Sequence, residues 1–214
     1  MNERSLRKEM MPHEIIVATG NQGKLREIRN LLADLPITLN SLADFADIKM
    51  PPENGKTFSA NARQKAMFAV EKTGSWVLAD DSGLVVPSLN GEPGIYSARY
   101  AGADAGNLKN NLYLLAKLQN IPAIQRQAWF VCVMVLAAPS GEIHQFEGRC
   151  EGRIAASMKG NKGFGYDPLF LLGPDFSETM AEISLVEKQR ISHRGEALHQ
   201  LKEWLLVQKR QELE

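Results

Sequence analysis

The sequence predicts a mixed α/β protein with two lobes and a cleft between them. Strand-like and helix-like stretches alternate through the first half of the 214-residue chain. A hairpin pattern follows, because two strand-like runs flank the turn residues Pro139-Ser140-Gly141. No repeat, low-complexity tract or long linker divides the chain. One domain over residues 14–209 is therefore expected, preceded by a short N-terminal extension at residues 1–13.

The first half supplies alternating strands and helices. A β-branched run predicts a strand over residues 14–19, and apolar residues at helical spacing predict a helix over 23–33. A second helix is expected over 57–72, where apolar residues form a mixed amphipathic face. Residues 75–79 then form an apolar strand candidate that leads into a turn-forming tetrapeptide, and residues 84–86 form a further short apolar piece.

The second half begins with a helix expected over residues 108–118, whose predicted inward face carries Leu112, Leu115 and Leu118. Residues 128–138 and 142–149 are the two strands of the predicted hairpin, and residues 168–172 are a third strand candidate. A last helix is expected over 195–209. The alternation of both element types supports the mixed α/β class.

Composition argues against several functional classes. The 25 basic and 25 acidic residues balance, so the net charge indicates neither nucleic acid nor a membrane surface as a partner. Two cysteines and four scattered histidines predict neither a disulfide framework nor a zinc site, and they favour a reducing cytoplasm. No apolar run is long enough for a membrane span, and residues 1–13 lack the apolar core of a signal peptide.

The stretch Thr19-Gly20-Asn21-Gln22-Gly23-Lys24 joins the first strand to the first helix. A strand, a glycine-containing turn, a lysine and a helix N-terminus are typical of a phosphate cradle. The stretch is not a Walker A loop, which needs four residues between its glycines and Ser or Thr after the lysine. The alternative is a turn whose glycines serve its geometry alone.

The stretch Asp80-Asp81-Ser82-Gly83 follows an apolar strand. Adjacent carboxylates at a strand end suit Mg²⁺, which takes one or two carboxylates together with phosphate oxygens. Neighbouring side chains of a strand point in opposite directions, so one aspartate is expected to face the cleft while the other supports the structure. The alternative is an ordinary turn, since Asp, Ser and Gly all favour turns.

Two later stretches suggest contacts to a base. Residues 163–168 combine two glycines, two aromatic residues and an acid, which could form a stacking platform for a flat base. The alternative is a glycine-rich loop with both rings in the core. Residues 187–194 carry cations and hydrogen-bond donors that could bind phosphate or base edges, or could be a charged helix start capped by Ser192.

The second predicted helix contributes a smaller signal. Asn61 and Lys65 lie four residues apart and therefore on one helix face. Glu53 lies in the Pro-rich loop just before that helix. Both features could equally belong to the solvated surface.

Taken together, these stretches resemble the inosine triphosphate pyrophosphatase family, also called XTP/dITP diphosphatases. The resemblance extends from Ile15 to about Trp204, and its motifs occur in a fixed order. They are Thr-Gly-Asn-x-Gly-Lys at 19–24, Phe58 with Asn61-Ala62 and Lys65-Ala66, Ala79 to Leu84, Gly94 to Tyr100, Gly163 to Pro168, and Ser192-His193-Arg194.

The resemblance implies an elongated, two-lobed mixed sheet with flanking helices and an active-site cleft, assembled as a homodimer. It implies Mg²⁺-dependent hydrolysis of ITP, dITP and XTP to the monophosphate and pyrophosphate. Asp81 would bind Mg²⁺ and accept a proton, with Glu53 as a second metal-linked carboxylate. The substrate-binding residues that it implies are Thr19, Gly20, Asn21, Gln22, Gly23, Lys24, Ser82, Phe164, Gly165, Tyr166, Asp167, Lys188, His193 and Arg194. Ala60 departs from the glutamate that the family often has there, which removes a possible helper acid.

Three functional hypotheses follow. The first is the pyrophosphatase, in which donors from Lys188, His193 or Arg194 would bind the 6-oxo group of hypoxanthine and leave adenine unpaired. The second is a regulatory module that binds a nucleotide without turnover. The third is a nucleoside triphosphate pyrophosphatase with little base preference. The carboxylate pair argues against the second, because a pure anion site gains nothing from carboxylates unless a metal intervenes.

Overall fold

The computed structural model describes residues 12–45 and 47–212 of the chain. Six strands form one mixed sheet in the order β2-β1-β3-β4-β5-β6. β1 pairs in parallel with β2 and β3, whereas every neighbouring pair from β3 to β6 is antiparallel. The strands are β1 Glu14–Val17, β2 Thr38–Ser41, β3 Val77–Val85, β4 Gln127–Ala137, β5 Ile143–Ile154 and β6 Phe170–Leu172. The predicted mixed α/β class is confirmed.

Five α-helices accompany the sheet in the described part of the chain. They are α1 Gln22–Leu31, α2 Phe58–Thr73, α3 Asn107–Lys117, α4 Leu185–Ile191 and α5 His193–Glu212. Four of them match the predicted helices to within a few residues. The sequence did not predict β2, whose residues lack an apolar run, or α4 as a separate helix. Ser192 separates α4 from α5, and its hydroxyl accepts the amide proton of Gly195, so it caps α5 as expected.

The predicted turn at Asp80-Asp81-Ser82-Gly83 is wrong, because these residues lie inside the continuous strand β3. All of β3 pairs with β4, with Asp80 opposite Met134 and Asp81 opposite Val133. This antiparallel ladder keeps the backbone extended. The parallel pairing with β1 ends at Leu78. The aspartates therefore lie beside the turn that follows β1, not at a strand end.

The predicted inward face of α3 is also wrong in part. Leu112 is 51% exposed, while Leu114 and Leu118 are fully buried. The helix turns Asn110 inward. Its side-chain oxygen accepts from the backbone N–H of Ala101 at 2.9 Å, and its side-chain nitrogen donates to the backbone carbonyl of Ala98. These hydrogen bonds satisfy a buried polar side chain and fix the rotation of the helix.

Three apolar clusters organise the two lobes. One packs α1 and α5 against a face of the sheet, and a second packs α2 against the opposite face. The third lies toward the far ends of β3, β4 and β5, where it includes residues of α3 and β6. The cleft lies where these regions meet. The boundary of the domain at 14–209 stays a prediction, and most of the predicted extension, residues 1–11, lies outside the described residues.

None of the helices in the described residues is long and apolar enough to cross a bilayer.

Candidate active site

A cleft of about 500 Å³ brings together the stretches that the sequence singled out. Its walls are the turn after β1, the middle of β3, the loop at 163–167 and the junction of α4 and α5. Among the predicted site residues, those that line it are Thr19, Gly20, Asn21, Lys24, Glu53, Asp81, Ser82, Phe164, Gly165, Tyr166, Asp167, Lys188, His193 and Arg194. Gln22 and Gly23 do not belong to its lining.

The turn after β1 differs from the expected phosphate cradle in one respect. Asn21 is the N-cap of α1, and its side-chain oxygen accepts the amide protons of Gly23 at 2.9 Å and Lys24 at 3.2 Å. Two of the N–H groups expected to bind phosphate are therefore already satisfied. The cationic part of the cradle is the Lys24 ammonium, which reaches 2.8 Å from Asp80 Oδ2.

Gly23 has a packing role that joins two of the predicted motifs. A Cβ atom at this position would lie 2.5 Å from the nearest carbon of the Phe164 ring. Any side chain here would push the ring away, because contacts this short do not occur between carbon atoms. The glycine thus permits the turn after β1 and the loop at 163–167 to pack closely against each other.

Asp80 and Asp81 leave β3 on opposite faces, as the pleat requires. Asp80 is 2% exposed and points toward α1 and α5, where its Oδ2 lies 2.8 Å from Lys24 and 3.5 Å from Arg194. Burial alone would raise the pKa of Asp80, but the charges of Lys24 and Arg194 hold it far below its ordinary value. Asp80 is therefore a permanently charged anchor for two cations.

Asp81 points toward α2 and into the cleft. Asn61 Nδ2 donates to its Oδ2 at 2.8 Å, and the backbone N–H of Ser82 donates to its Oδ1 at 3.0 Å. Lys65 Nζ is 3.8 Å from Oδ1, farther than an ion-paired hydrogen bond. Burial raises the pKa of Asp81 above its ordinary value, and these partners offset the rise only in part. The carboxylate is thus a stronger base than Asp80.

Glu53 is the second carboxylate of this face. Its Oε1 lies 2.8 Å from Lys65 Nζ, and its Oε2 lies 3.1 Å from an Arg99 nitrogen. Burial alone would raise the pKa of Glu53, but Lys65 and Arg99 lower it. Glu53 is consequently ionised at neutral pH.

Asp81 and Glu53 form a donor set that fits Mg²⁺. Both carboxylates line the cleft and both approach the same lysine. Among the described residues, no group of three or more Asp, Glu, His or Cys could hold a metal. A site with two carboxylates suits an ion that keeps several waters and takes its other ligands from substrate phosphates.

The loop at 163–167 forms the other end of the cleft. The Phe164 ring lies there with the Lys188 ammonium 4.7 Å from its centroid. Tyr166 is a core residue, 4% exposed, and its hydroxyl donates to the Ser97 carbonyl at 2.8 Å. Of the two aromatic residues in this loop, only Phe164 is therefore a candidate for the expected stacking platform. Asp167 shapes the loop by accepting the amide proton of Phe164 at 2.8 Å.

A buried ionic cluster supports this end. Glu27 of α1 accepts from Arg194 at 2.7 Å and pairs with Lys188 at 3.0 Å. Lys188 also pairs with Asp167, and Arg194 donates to the Ser82 hydroxyl at 2.8 Å. Burial alone would raise the pKa of Glu27, but Arg194 and Lys188 lower it. The two cations are therefore fixed in position beside the cleft.

His193 lies at the same end of the cleft and is a neutral side chain. Its ring stacks on Phe130 with centroids 4.7 Å apart and planes at 15°. Burial and the neighbouring cations, Arg194 first, lower the pKa of His193 well below its ordinary value. Its buried Nδ1 makes no hydrogen bond within the described part of the protein. A neutral imidazole can offer one donor and one acceptor to a ligand.

Several residues of the site were not predicted. Glu27 could not be identified because its partners lie far away in sequence, 167 residues for Arg194. Lys65 was noticed only for sharing a helix face with Asn61. Gly83 permits the segment 94–99 to pack against β3, since a Cβ atom there would overlap the Ser97 hydroxyl. Ser97 in turn accepts from the backbone N–H of Leu84 at 2.9 Å.

Fold and site together define a mixed α/β protein whose cleft is equipped for a phosphorylated ligand and a divalent cation. A family model described as the Ham1 family matches residues 15–204, and the chain belongs to this family. It is 49% identical over 191 residues to the dITP/XTP pyrophosphatase of Geobacter sulfurreducens, covering 89% of this chain and 96% of that protein.

Two further relatives agree with this assignment. The dITP/XTP pyrophosphatase of Thermus thermophilus is 50% identical over 190 residues, which cover 89% of this chain and 90% of the relative. The structure of the Staphylococcus aureus Ham1 protein superposes with a TM-score of 0.81 at 41% identity, covering 92% of this chain and 100% of the other. The resemblance and the fold class inferred from the sequence are confirmed.

Proposed function

We propose that this protein hydrolyses non-standard purine nucleoside triphosphates, namely ITP, dITP and XTP, to the monophosphate and pyrophosphate. The observation that carries the proposal is the composition of one cleft. A lysine-bearing turn, a carboxylate pair and an aromatic ring beside fixed cations all line it. Relatives that are half identical over nearly the whole chain are named dITP/XTP pyrophosphatases.

The triphosphate would lie along the turn at 19–24 and beside the part of α2 that lines the cleft. Lys24, Lys65 and Arg99 supply positive charge on this side of the cleft. A polyanion bound between fixed cations needs no reorganisation of solvent at the moment of reaction, and such electrostatic positioning is usually the largest part of catalysis. Lys24 would bind phosphate while Asp80 holds its ammonium in place.

Asp81 and Glu53 would hold Mg²⁺, which when bound neutralises phosphate charge and makes water at the site more acidic. Asp81 would also accept the proton of the attacking water. Its raised pKa suits that role, because a general base works best when its pKa approaches the working pH. Asn61 and the Ser82 N–H orient the carboxylate, each through one of its oxygens.

Base selection would take place at the other end, where Phe164 stacks on the purine. Donors from Lys188, His193 or Arg194 would bind the 6-oxo group that hypoxanthine and xanthine share. Adenine carries a 6-amino donor at that position and would leave these groups unpaired. Buried polar mismatches of this kind discriminate by up to about 10⁴- to 10⁵-fold.

A substrate panel tests the proposal. ITP, dITP, XTP, GTP and ATP are incubated with the protein and Mg²⁺, and released pyrophosphate is measured. We expect kcat/KM for the first three to exceed that for ATP by about 100-fold or more. Binding of ITP without release of pyrophosphate would contradict hydrolysis and favour a regulatory module. Comparable kcat/KM for ATP and ITP would favour an unselective enzyme.

We further propose that the protein acts as a homodimer in the cytoplasm. The family resemblance supports the dimer, and light scattering of the full chain tests it through the measured mass. The two cysteines are free and buried, and burial raises the pKa of Cys132 to about 12 and of Cys150 to about 11. Such unreactive thiols fit a reducing compartment, which fluorescence microscopy of the tagged protein in its own host would test.

A further inference from the structure

Lys65 occupies an unusual position between the two carboxylates that fit a metal. Its Nζ lies 2.8 Å from Glu53 Oε1 and 3.8 Å from Asp81 Oδ1, and its side chain is 13% exposed. A lysine ammonium is protonated at neutral pH. A full positive charge therefore stands where Asp81 and Glu53 converge.

This charge and a divalent cation compete for the same oxygens. Mg²⁺ coordinates oxygen at about 2.0–2.1 Å, so an ion on Glu53 Oε1 would lie within a few ångström of the present ammonium. Two cations that close repel strongly in a partly buried cleft. Glu53 offers no unpaired alternative, because its other oxygen is engaged by Arg99.

The contact has little value as a structural bridge. Glu53 retains a quarter of its side-chain exposure, so solvent screens this pair more than a pair within the core. Lys65 instead lines the cleft along with both carboxylates. It projects from α2 four residues after Asn61, the residue that orients Asp81. Its place is thus set by the site and not by the core.

We infer that Lys65 is a resident counter-cation of the metal site, and that Mg²⁺ binds there only when a triphosphate gives the displaced ammonium a new anionic partner. The inference rests on the proposed function, since it takes Asp81 and Glu53 as metal ligands. Metal and nucleotide then bind with strong positive coupling. The protein alone holds the metal weakly, and the metal–nucleotide complex is the form that enters.

Metal binding without nucleotide tests the inference directly. Mn²⁺ serves as the probe, and isothermal titration calorimetry on the full chain gives its affinity. We expect Lys65→Met to bind Mn²⁺ at least tenfold more tightly than the unmodified protein. The matched control is Lys24→Met, which removes a cation of the same cleft that pairs with Asp80 instead. We expect its affinity to change less than threefold.

Either of two results would overturn the inference. One is equal Mn²⁺ affinity in the unmodified protein and the Lys65→Met variant. The other is an equal gain in both lysine variants, which would show a general effect of charge. Lys65→Gln repeats the measurement with a side chain that can still donate to Glu53, so the test does not depend on one variant folding. Thermal unfolding of each variant confirms that it is folded.

A second arm measures the coupling. Inosine 5′-(α,β-imido)triphosphate resists cleavage at the bond in question, so Mn²⁺ affinity can be measured in its presence. We expect the analogue to raise Mn²⁺ affinity at least tenfold more in the unmodified protein than in Lys65→Met, and linkage requires the reciprocal effect on the analogue. Equal enhancement would overturn the inference. Failure of the proposed function would show separately, as absence of pyrophosphate release from ITP by the unmodified protein.

Discussion

Asp80 and Asp81 are adjacent, buried and identical in chemistry, yet the two faces of β3 give them opposite properties. Asp80 faces α1 and α5, where Lys24 and Arg194 hold its pKa far below the ordinary value. Asp81 faces α2 and the cleft, where burial raises its pKa. The number of cations in direct contact decides the difference, since both residues are at most 5% exposed.

The face of the strand on which a carboxylate lies thus decides whether its pKa is lowered or raised. On the face of Asp80, each charged side chain has a partner of opposite charge. Arg194 connects Asp80 to Glu27, and Glu27 also pairs with Lys188. On the face of Asp81, the partners are hydrogen bonds from Asn61 and the Ser82 N–H and a lysine 3.8 Å away, so no cation among the described residues is in direct contact with the carboxylate. In the proposed function, the Asp80 face holds Lys24 and Arg194 in place, and the Asp81 face supplies the reacting carboxylate.

The largest effect is expected from Asp81→Asn. The amide removes the base and a metal ligand, so kcat for ITP should fall by about 10²- to 10⁴-fold. Pyrophosphate release measures the fall, and circular dichroism should show an unchanged fold. Near-normal turnover in this variant would remove Asp81 from both roles and break the comparison.

Asp80→Asn should act on stability in place of chemistry. The change leaves Lys24 without its carboxylate partner and Arg194 with Glu27 alone, and breaking such a buried pair costs about 3–5 kcal/mol of unfolding free energy. Urea denaturation at pH 7 measures this loss. Asp81→Asn is the matched control. Ionised Asp81 is disfavoured by folding, because its pKa is raised, so its replacement should be neutral or stabilising.

The pH dependence of unfolding follows from the same two shifts. The folded pKa of Asp80 lies below its ordinary value of 3.8, so its contribution is complete above that value and is lost as the pH falls below it. This acid-labile part of the stability should be absent in Asp80→Asn. Equal loss of stability on acidification in both proteins would contradict the assigned ion pairs.

The sequence could predict this site where the signals are local. The turn at 19–24, the carboxylate pair and the loop at 163–168 each occupy a short stretch with a recognisable composition. The opposite directions of Asp80 and Asp81 followed from the pleat alone. The continuity of β3 did not, because turn-forming residues are held extended only by the neighbouring β4.

What escaped prediction depends on contacts between distant segments. The cluster of Glu27, Lys188 and Arg194 exists because α1 lies beside both α4 and the start of α5. Asn21 capping α1 could have been foreseen, since asparagine before a helix is a common N-cap. Because Asn21 satisfies two N–H groups of the helix N-terminus, Lys24 is the main phosphate-binding group that we propose for this turn.

Lys24→Met tests the residue that pairs with Asp80 and that we propose as a phosphate ligand. Loss of one charged contact to phosphate should raise KM for ITP about 10- to 100-fold, with a smaller effect on kcat. The stability loss should be smaller than for Asp80→Asn, because Asp80 keeps Arg194. Steady-state kinetics and urea denaturation measure the two effects. An unchanged KM would contradict phosphate binding by this turn.

Phe164→Ala extends the comparison to the base end. Stacking is worth about 1–3 kcal/mol per base and is insensitive to base identity, so KM should rise about tenfold for ITP, XTP and GTP alike. Tyr166→Phe is the control, because it keeps a ring and removes only the hydrogen bond to Ser97. A change confined to ITP relative to ATP would instead make Phe164 an element of base selection.

The smallest effect is expected from Asn61→Ala, which alters Asp81 without removing it. The Asn61 hydrogen bond lowers the pKa of Asp81, so its loss should raise that pKa further. A base must be ionised to act, and the acidic limb of the kcat/KM profile should therefore move to higher pH. At pH 7 the rate should fall only a few-fold, since one such bond is worth roughly 1 kcal/mol.

The profile of Asn61→Ala also separates orientation from acidity. Arg63→Ala, an exposed change on the same helix, should leave the acidic limb in place. A lower rate with an unshifted limb would mean that Asn61 only orients the carboxylate. A limb that moves to lower pH would contradict this assignment of the titrating base, because loss of the Asn61 donor by itself raises the pKa of Asp81.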